Sequence, residues 1–233
     1  MNSCPTLDEC IQSLELHIGC LQRAGLRFDA VGPRPCSAVQ TPTRAARIIA
    51  LRDATAGCRL CRLCDSRTRV VFGEGTAEAR LMVVGSAPDN DSDTQGRPFA
   101  GESGQLLTRI LAAIGLQRGQ VYLTDAVKCL GPDAVEPGQD CVEACRPILQ
   151  NQIAIIEPRV ICALGPVAAR ALQGPGALNA PTRGEFYRTG SILVMPTHHP
   201  ELLLRKPELK RETWIDVQKI QRQIESPSAH NPQ

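Results

Sequence analysis

The chain has 233 residues, 42% hydrophobic and 21% charged, with a formal net charge of +2. That length supports one well-buried domain with something left over at the ends, and no apolar run approaches the roughly 18 residues of a membrane span. The N-terminus has no basic stretch leading into an apolar core and a small-residue cleavage site, which predicts a cytoplasmic protein.

Eleven cysteines are many for such a chain. The cytosol keeps thiols reduced, so clustered cysteines point to metal binding rather than to a disulfide framework.

Taken in chain order, Leu7, Ile11, Leu14, Ile18 and Leu21 form one apolar stripe at helical spacing, and Gly25 can end that helix. The Pro-rich, aperiodic "VGPRPCSAVQTPT" then reads as a linker. Residues 1–40 are therefore expected to be a helical extension and linker, 41–224 the main domain, and 225–233 a disordered polar tail. Between Thr41 and Val70 seven arginines, Arg67 and Arg69 among them, face only Asp53 and Asp65. They read either as a solvated helix face or as a surface for phosphates.

Short apolar runs follow: "RLMVVG" at 80–85, "VYLT" at 121–124, "RVICALG" at 159–165 and "SILVMP" at 191–196. Each reads as a buried strand. The intervening "GQLLTRILAAIGL" and "CRPILQNQIAIIE" carry the three-to-four spacing of amphipathic helices, and "PVAARAL" opens with a helix-starting proline. The alternation predicts an α/β fold, a three-layer α/β/α sandwich around a central four-stranded parallel sheet. Ligands in such folds bind at the carboxyl ends of the strands. There "GSAPDNDSDTQGRPFAG", Asp125 and "THHPELLLR" would meet in one crevice.

"GCRLCRLCDSR" sets Cys58, Cys61 and Cys64 at CxxCxxC spacing, and Cys129 and Cys145 come much later, with Cys141 as a further candidate. Four soft thiolates from two distant segments suit a tetrahedral zinc or an iron-sulfur cluster, and spacing alone does not choose between them.

With these landmarks in place, the chain resembles the family 4 uracil-DNA glycosylases from about Gly57 to Gln223. The match is carried by "RVVFGEG", "QGRPFAGESGQLL", "VYLTDAVKC", "CRPIL..QI", "ALGPVAARAL" and "THHPELLLRKPELKRETWIDVQ" in that order. The resemblance implies a DNA glycosylase, acting as a monomer on DNA, with a structural [4Fe-4S] cluster on Cys58, Cys61, Cys129 and Cys145 that braces a DNA-facing loop. Cys64 falls where the family has no ligand. It further implies that Phe99 stacks on an extruded base, that Ala87 lines the base pocket, and that His199 donates to the departing base's O2. Arg205 and Lys206 would hold phosphates, with Arg67 and Arg69 as further DNA contacts. These are the parts base removal needs, since the base must leave the stack, be held and read, and be stabilised as it departs.

Two positions depart from the family. Its first motif carries a glutamate where this chain has Ser86, within Gly85, Ser86, Ala87, Pro88 and Asp89. Ser86 can place a hydroxyl near water, and carboxylate help would come from Asp89, Asp91 or Asp93, of which Asp93 sits at an acidic position of the pattern. Asp89 replaces a glycine beside the base, on its C5 side.

The second departure is Asp125, where the family has a base-reading asparagine. An ionised aspartate only accepts hydrogen bonds, which suits the exocyclic amine of cytosine and not uracil O4. These residues together predict a glycosylase for a cytosine-type or C5-modified cytosine base, serving defence against modified viral DNA or specialised repair. A conventional uracil-DNA glycosylase of base-excision repair, a non-catalytic DNA-binding relative, and a zinc or iron-sulfur redox protein are the rivals.

Overall fold

The computed structural model describes residues 42–132, 136–174 and 180–226. The chain divides into two units, Met1–Thr41 and Pro42–Gln233. The expected N-terminal helix, nearly all of the linker and the last seven residues lie outside the described residues.

Among the described residues six strands form one sheet: β1 (Glu74–Gly75), β2 (Leu81–Gly85), β3 (Tyr122–Asp125), β4 (Val160–Leu164), β5 (Tyr187–Thr189) and β6 (Ile192–Thr197), in the order β1-β3-β2-β4-β6-β5. The middle four are parallel, as the alternation predicts, while β1 and β5 pair antiparallel at the two edges. The expected four-stranded sheet is thus extended by two strands. Both are too short to show a period-two pattern in sequence. β5 joins β6 through a tight turn in which Gly190 takes φ +59°, a conformation that glycine adopts without steric cost.

The helices are α1 (Arg44–Thr55), α2 (Asn90–Gln95), α3 (Glu102–Ala113), α4 (Gln139–Ile156), α5 (Gly165–Gln173), α6 (Pro200–Arg205) and α7 (Lys210–Glu225). α4 begins six residues before the "CRPIL" pattern and runs on through Pro147.

Successive strand residues point to opposite faces, so each strand feeds two cores. On one face Met82, Val84, Ile161, Ala163 and Val194 pack with Val142, Leu149, Ile156, Val167 and Leu172 of α4 and α5, and Ile48 and Leu51 of α1 close that layer. On the other, Leu81, Val83, Leu123, Cys162 and Met195 meet Leu107 and Leu111 of α3 and Ile220 and Ile224 of α7. β2 and β4 are buried along their whole length, which is why they read as unbroken apolar runs instead of alternating ones. Among the described residues no helix is long and apolar enough to cross a membrane.

Candidate active site

The parallel strands bring their carboxyl ends into register. Gly85 of β2 pairs with Asp125 of β3, and Leu164 of β4 pairs with Thr197 of β6. A cleft of about 600 Å³ opens above them, lined by Ser86, Ala87, Asp89, Phe99, Asp125 and His199 among others. The three loops expected to converge do so.

Asp125 forms the floor. Its side chain is almost wholly buried, and a Cβ built on Gly85 would lie 2.2 Å from its Oδ1 and 2.8 Å from the tip of the Phe99 ring. Carboxyl and ring therefore stand over the same bare patch of backbone, with room between them only because residue 85 has no side chain. Burial lifts the Asp125 carboxyl from 3.8 to about 7; Lys128 opposes this rise and Asp89 adds to it. Among the described residues no group hydrogen-bonds to the Asp125 carboxyl oxygens. Below pH 7 it is therefore largely a neutral acid, with one donor and one acceptor.

Lys128 lies beneath. It is fully buried, donates to Thr124 Oγ1 at 2.6 Å and to the Asp125 carbonyl oxygen, and burial lowers its affinity for a proton against the pull of Cys145 and Asp125. A lysine beside a cysteine in "VKC" carries no sequence signal of such a position.

His199 is the N-cap of α6. Its Nδ1 accepts the Glu201 backbone N–H at 3.3 Å, which leaves the imidazole proton on Nε2. That Nε2 is buried without a hydrogen-bond partner among the described residues, on a residue lining the cleft. Burial lowers the His199 pKa, only partly opposed by Glu201 and Asp89. The ring is thus a neutral N–H donor, its centroid 6.1 Å from that of Phe99. The segment before it is braced from α7: Thr197 donates to Asp216 at 2.7 Å, Arg183 pairs with the same carboxylate at 2.8 Å, and His198 meets Glu212 at 3.3 Å.

The acids of the first loop separate sharply. Asp89 lines the cleft; its Oδ1 accepts Ser92 N–H at 2.8 Å as the N-cap of α2, and Ser103 Oγ lies 3.5 Å from Oδ2. Asp93, expected near the attacking water, is one turn further on and turned away. Its buried carboxylate accepts Thr68 N–H at 2.8 Å and Arg69 N–H at 3.3 Å, and it does not line the cleft.

The arginine-rich stretch is largely spoken for. Arg44, Arg52, Arg59 and Arg62 are ion-paired with acids, in keeping with a solvated face. Arg67, expected on DNA, instead donates to Cys129 Sγ at 3.2 Å and to the Cys58 carbonyl oxygen at 2.6 Å. Arg69 and Lys206 are exposed. Arg205 is exposed on the cleft rim and ion-paired with Glu201 one turn back on α6.

Cys58, Cys61, Cys129 and Cys145 line one small pocket together with Arg67 and Lys128. Cys141 lies beside Cys61 and Arg62, and Cys162 belongs to the sheet core. Burial raises the thiols of Cys129 and Cys145, the latter to about 11. Among the described residues no three acid, histidine or cysteine side chains are grouped to hold one metal ion. Four soft donors lining one pocket, with Arg67 and Lys128 beside them, are of the type that would hold a zinc or iron-sulfur centre.

Comparison with known proteins agrees with this architecture. The model of the uracil DNA glycosylase superfamily matches residues 72–218. The type-4 uracil-DNA glycosylase of Sulfurisphaera tokodaii is 37% identical over 179 residues, covering 73% of this chain and 81% of the relative. That of Pyrobaculum aerophilum is 40% identical over 175 residues, 72% of this chain and 89% of the relative. A type-5 uracil-DNA glycosylase from the same organism is 33% identical over 161 residues, 61% of this chain and 71% of the relative. With a sheet whose carboxyl ends carry the cleft, and a family match running from the segment before β1 into α7, the chain belongs to the uracil DNA glycosylase superfamily, alongside its type-4 members.

Proposed function

We propose that this chain hydrolyses the N-glycosidic bond of a pyrimidine extruded from DNA, and that the base is of cytosine type, modified at C5. The observation that carries this reading is the Asp125 carboxyl, buried at the cleft floor with its oxygens unbonded and the Phe99 ring beside it. A base stacked on Phe99 presents its pairing edge to that carboxyl. The neutral acid donates its O–H to cytosine N3 and accepts from the N4 amine, two matched bonds. His199 Nε2–H donates to O2, where negative charge gathers as the bond to C1′ breaks. Asp89 is a cleft-lining carboxylate whose charge acts on both His199 and Asp125. It takes the water-activating role that the missing glutamate leaves open, with Ser86 beside it, and Asp93 takes no part. Its charge on the base's C5 side supports recognition of a C5 substituent and, with it, a defence role against modified viral DNA.

Uracil is the second reading, favoured by a specific observation. The acid form of Asp125 presents one donor and one acceptor side by side, as an amide edge does, so it also pairs with uracil O4 and N3–H. The relatives named above are uracil-DNA glycosylases. In both readings Cys58, Cys61, Cys129 and Cys145 hold a [4Fe-4S] cluster that ties the segment after β3 to α4, while Arg205 and Lys206 meet the DNA backbone.

Abasic-site formation on duplex and single-stranded oligonucleotides carrying uracil, cytosine, 5-hydroxymethylcytosine or its glucosylated form tests this. Cleavage of the modified cytosines supports the first reading. Efficient cleavage of uracil alone replaces it with the second, and binding without cleavage of any base defeats both.

A further inference from the structure

Phe99 holds a backbone conformation that its residue type disfavours. Its φ is +52°, in the left-handed region where a bulky non-glycine residue is strained and persists only if its surroundings over-determine it. This turn is what brings the ring tip over Gly85. Part of the constraint is Gly104, where a Cβ would lie 1.8 Å from the Phe99 carbonyl oxygen, so the first turn of α3 presses directly on that backbone.

The rest is Arg118, on the short turn between α3 and β3. Its Nη2 donates to the Pro98 carbonyl oxygen at 2.8 Å, and its Nη1 to the Phe99 carbonyl oxygen at 3.3 Å and Thr108 Oγ1 at 3.4 Å. The other edge of the guanidinium grips Glu74 of β1, Nε lying 3.0 Å from Oε1, and Arg97 donates to the second Glu74 oxygen at 2.8 Å. Burial alone would raise the Glu74 carboxyl, but the hydrogen bonds from Arg97 and Arg118 outweigh it and hold Glu74 below the ordinary range. Arg118 and Glu74 are 23% and 22% exposed, so the pair is shielded enough to keep one geometry. A planar fork fixed by a carboxylate delivers its remaining donors in set directions, which a lysine cannot do.

We infer that Arg118, oriented by Glu74, is a positioning residue for base stacking: it holds the Pro98 and Phe99 carbonyls and so the turn that presents the Phe99 ring to the extruded base. This rests on the reading of Phe99 as the stacking residue. It gives the two-residue edge strand β1 a part in the site, as the carrier of the carboxylate that sets Arg118.

The chain has four phenylalanines, so fluorine resonances of the full-length protein labelled with 4-fluorophenylalanine report the ring directly, with Phe99→Leu identifying its signal. Arg118→Met and Arg118→Lys are expected to shift or broaden the Phe99 resonance while those of Phe72 and Phe186 stay in place, and Glu74→Gln to give a smaller change. Single-turnover excision is expected to fall about 10- to 100-fold, as a displacement near 1 Å does, with affinity for abasic DNA held within about twofold. In a Phe99→Ala background, Arg118→Met is expected to add no further loss. An unmoved Phe99 resonance in Arg118→Met, or losses that simply add to those of Phe99→Ala, overturns the inference. If Arg118→Met does not fold, Arg118→Lys, which keeps charge and stem, carries the same comparison. If the wild-type chain excises no base, the functional reading falls, and the resonance still decides whether Arg118 holds the ring.

Discussion

Gly85 and Asp125 are register partners on adjacent parallel strands, and the carboxyl of Asp125 closes back over the Gly85 α-carbon so tightly that a Cβ would meet Oδ1 at 2.2 Å. The backbone conformation of Gly85 is one other residues accept, so the constraint is purely one of space. Gly85→Ala is expected to cost about 1–3 kcal/mol, in the range of overpacked core sites, and to abolish excision by driving the Phe99 ring and the Asp125 carboxyl apart. Denaturant unfolding and an excision assay check it; wild-type activity in this variant would mean the base binds elsewhere.

On the proposed reading, the Asp125 carboxyl makes base removal depend on pH. With its affinity for protons raised to about 7, the donor needed for uracil O4 or neutral cytosine N3 disappears above that value. Excision is expected to fall about tenfold per pH unit from there upward, while Asp125→Asn, whose amide does not titrate, should be flat across the same range. Stability follows the same group. Between about pH 4 and 7 the folded chain keeps this proton and the unfolded chain releases it, so stability falls as pH rises through that window and levels off above it. The melting temperature of Asp125→Asn relative to wild type should therefore climb with pH up to about 7. A constant difference would show that Asp125 is ionised throughout.

In the proposed reaction His199 acts as a neutral donor, its tautomer set by the Glu201 N–H on Nδ1. His199→Ala is expected to lower kcat by about 10²- to 10³-fold, the usual scale for one lost donor to developing charge, with little change in KM. Because burial depresses its pKa below 6.5, activity should persist on the acid side until below that value, where protonating Nδ1 breaks the cap. A substantially raised KM with unchanged kcat would place His199 in binding instead.

On the proposed cluster, the cysteine pocket sets four ligands apart from Cys64 and Cys141, which do not line it. Serine at Cys58, Cys61, Cys129 or Cys145 is expected to release iron and lower the melting temperature, whereas serine at Cys64 or Cys141 should leave iron content unchanged. Metal analysis of anaerobically purified variants reads this. Retention of full iron content in a Cys145 variant, with loss in a Cys141 variant, would move the fourth ligand one helical turn.

Asp216 holds the β6–α6 turn from α7 through Thr197 and Arg183. Asp216→Ala leaves a buried hydroxyl without its acceptor and breaks an ion pair whose arginine is 37% exposed, for which about 1–3 kcal/mol is expected. Thr197→Val should cost about 1 kcal/mol. Urea titration measures both. A neutral Asp216→Ala would show that the turn before His199 stands without this support.

Much of this molecule is legible in its sequence. The apolar runs of β2 and β4 and the stripes of α3 and α4 are long enough for periodicity to declare them, and their alternation implies a parallel sheet with its loops gathered at one end. That is why Phe99, Asp125 and His199, far apart in the chain, are expected in one crevice; the meeting of the cysteine segments is implied instead by their soft thiolates and by the family resemblance.

What the chain alone did not reveal is direction. Asp89 and Asp93 are the same residue type one helical turn apart, yet the packing of α2 turns one to the cleft and the other to the Thr68 and Arg69 amides. Arg67 looks like any surface cation until the fold lays it on Cys129. Arg118, Lys128 and Asp216 owe their roles to partners that no local pattern marks. Periodicity decides which face of an element is buried, because burial of apolar area is additive along it. Which polar group meets which is a matter of a few ångströms between distant segments, and only the folded chain sets that distance.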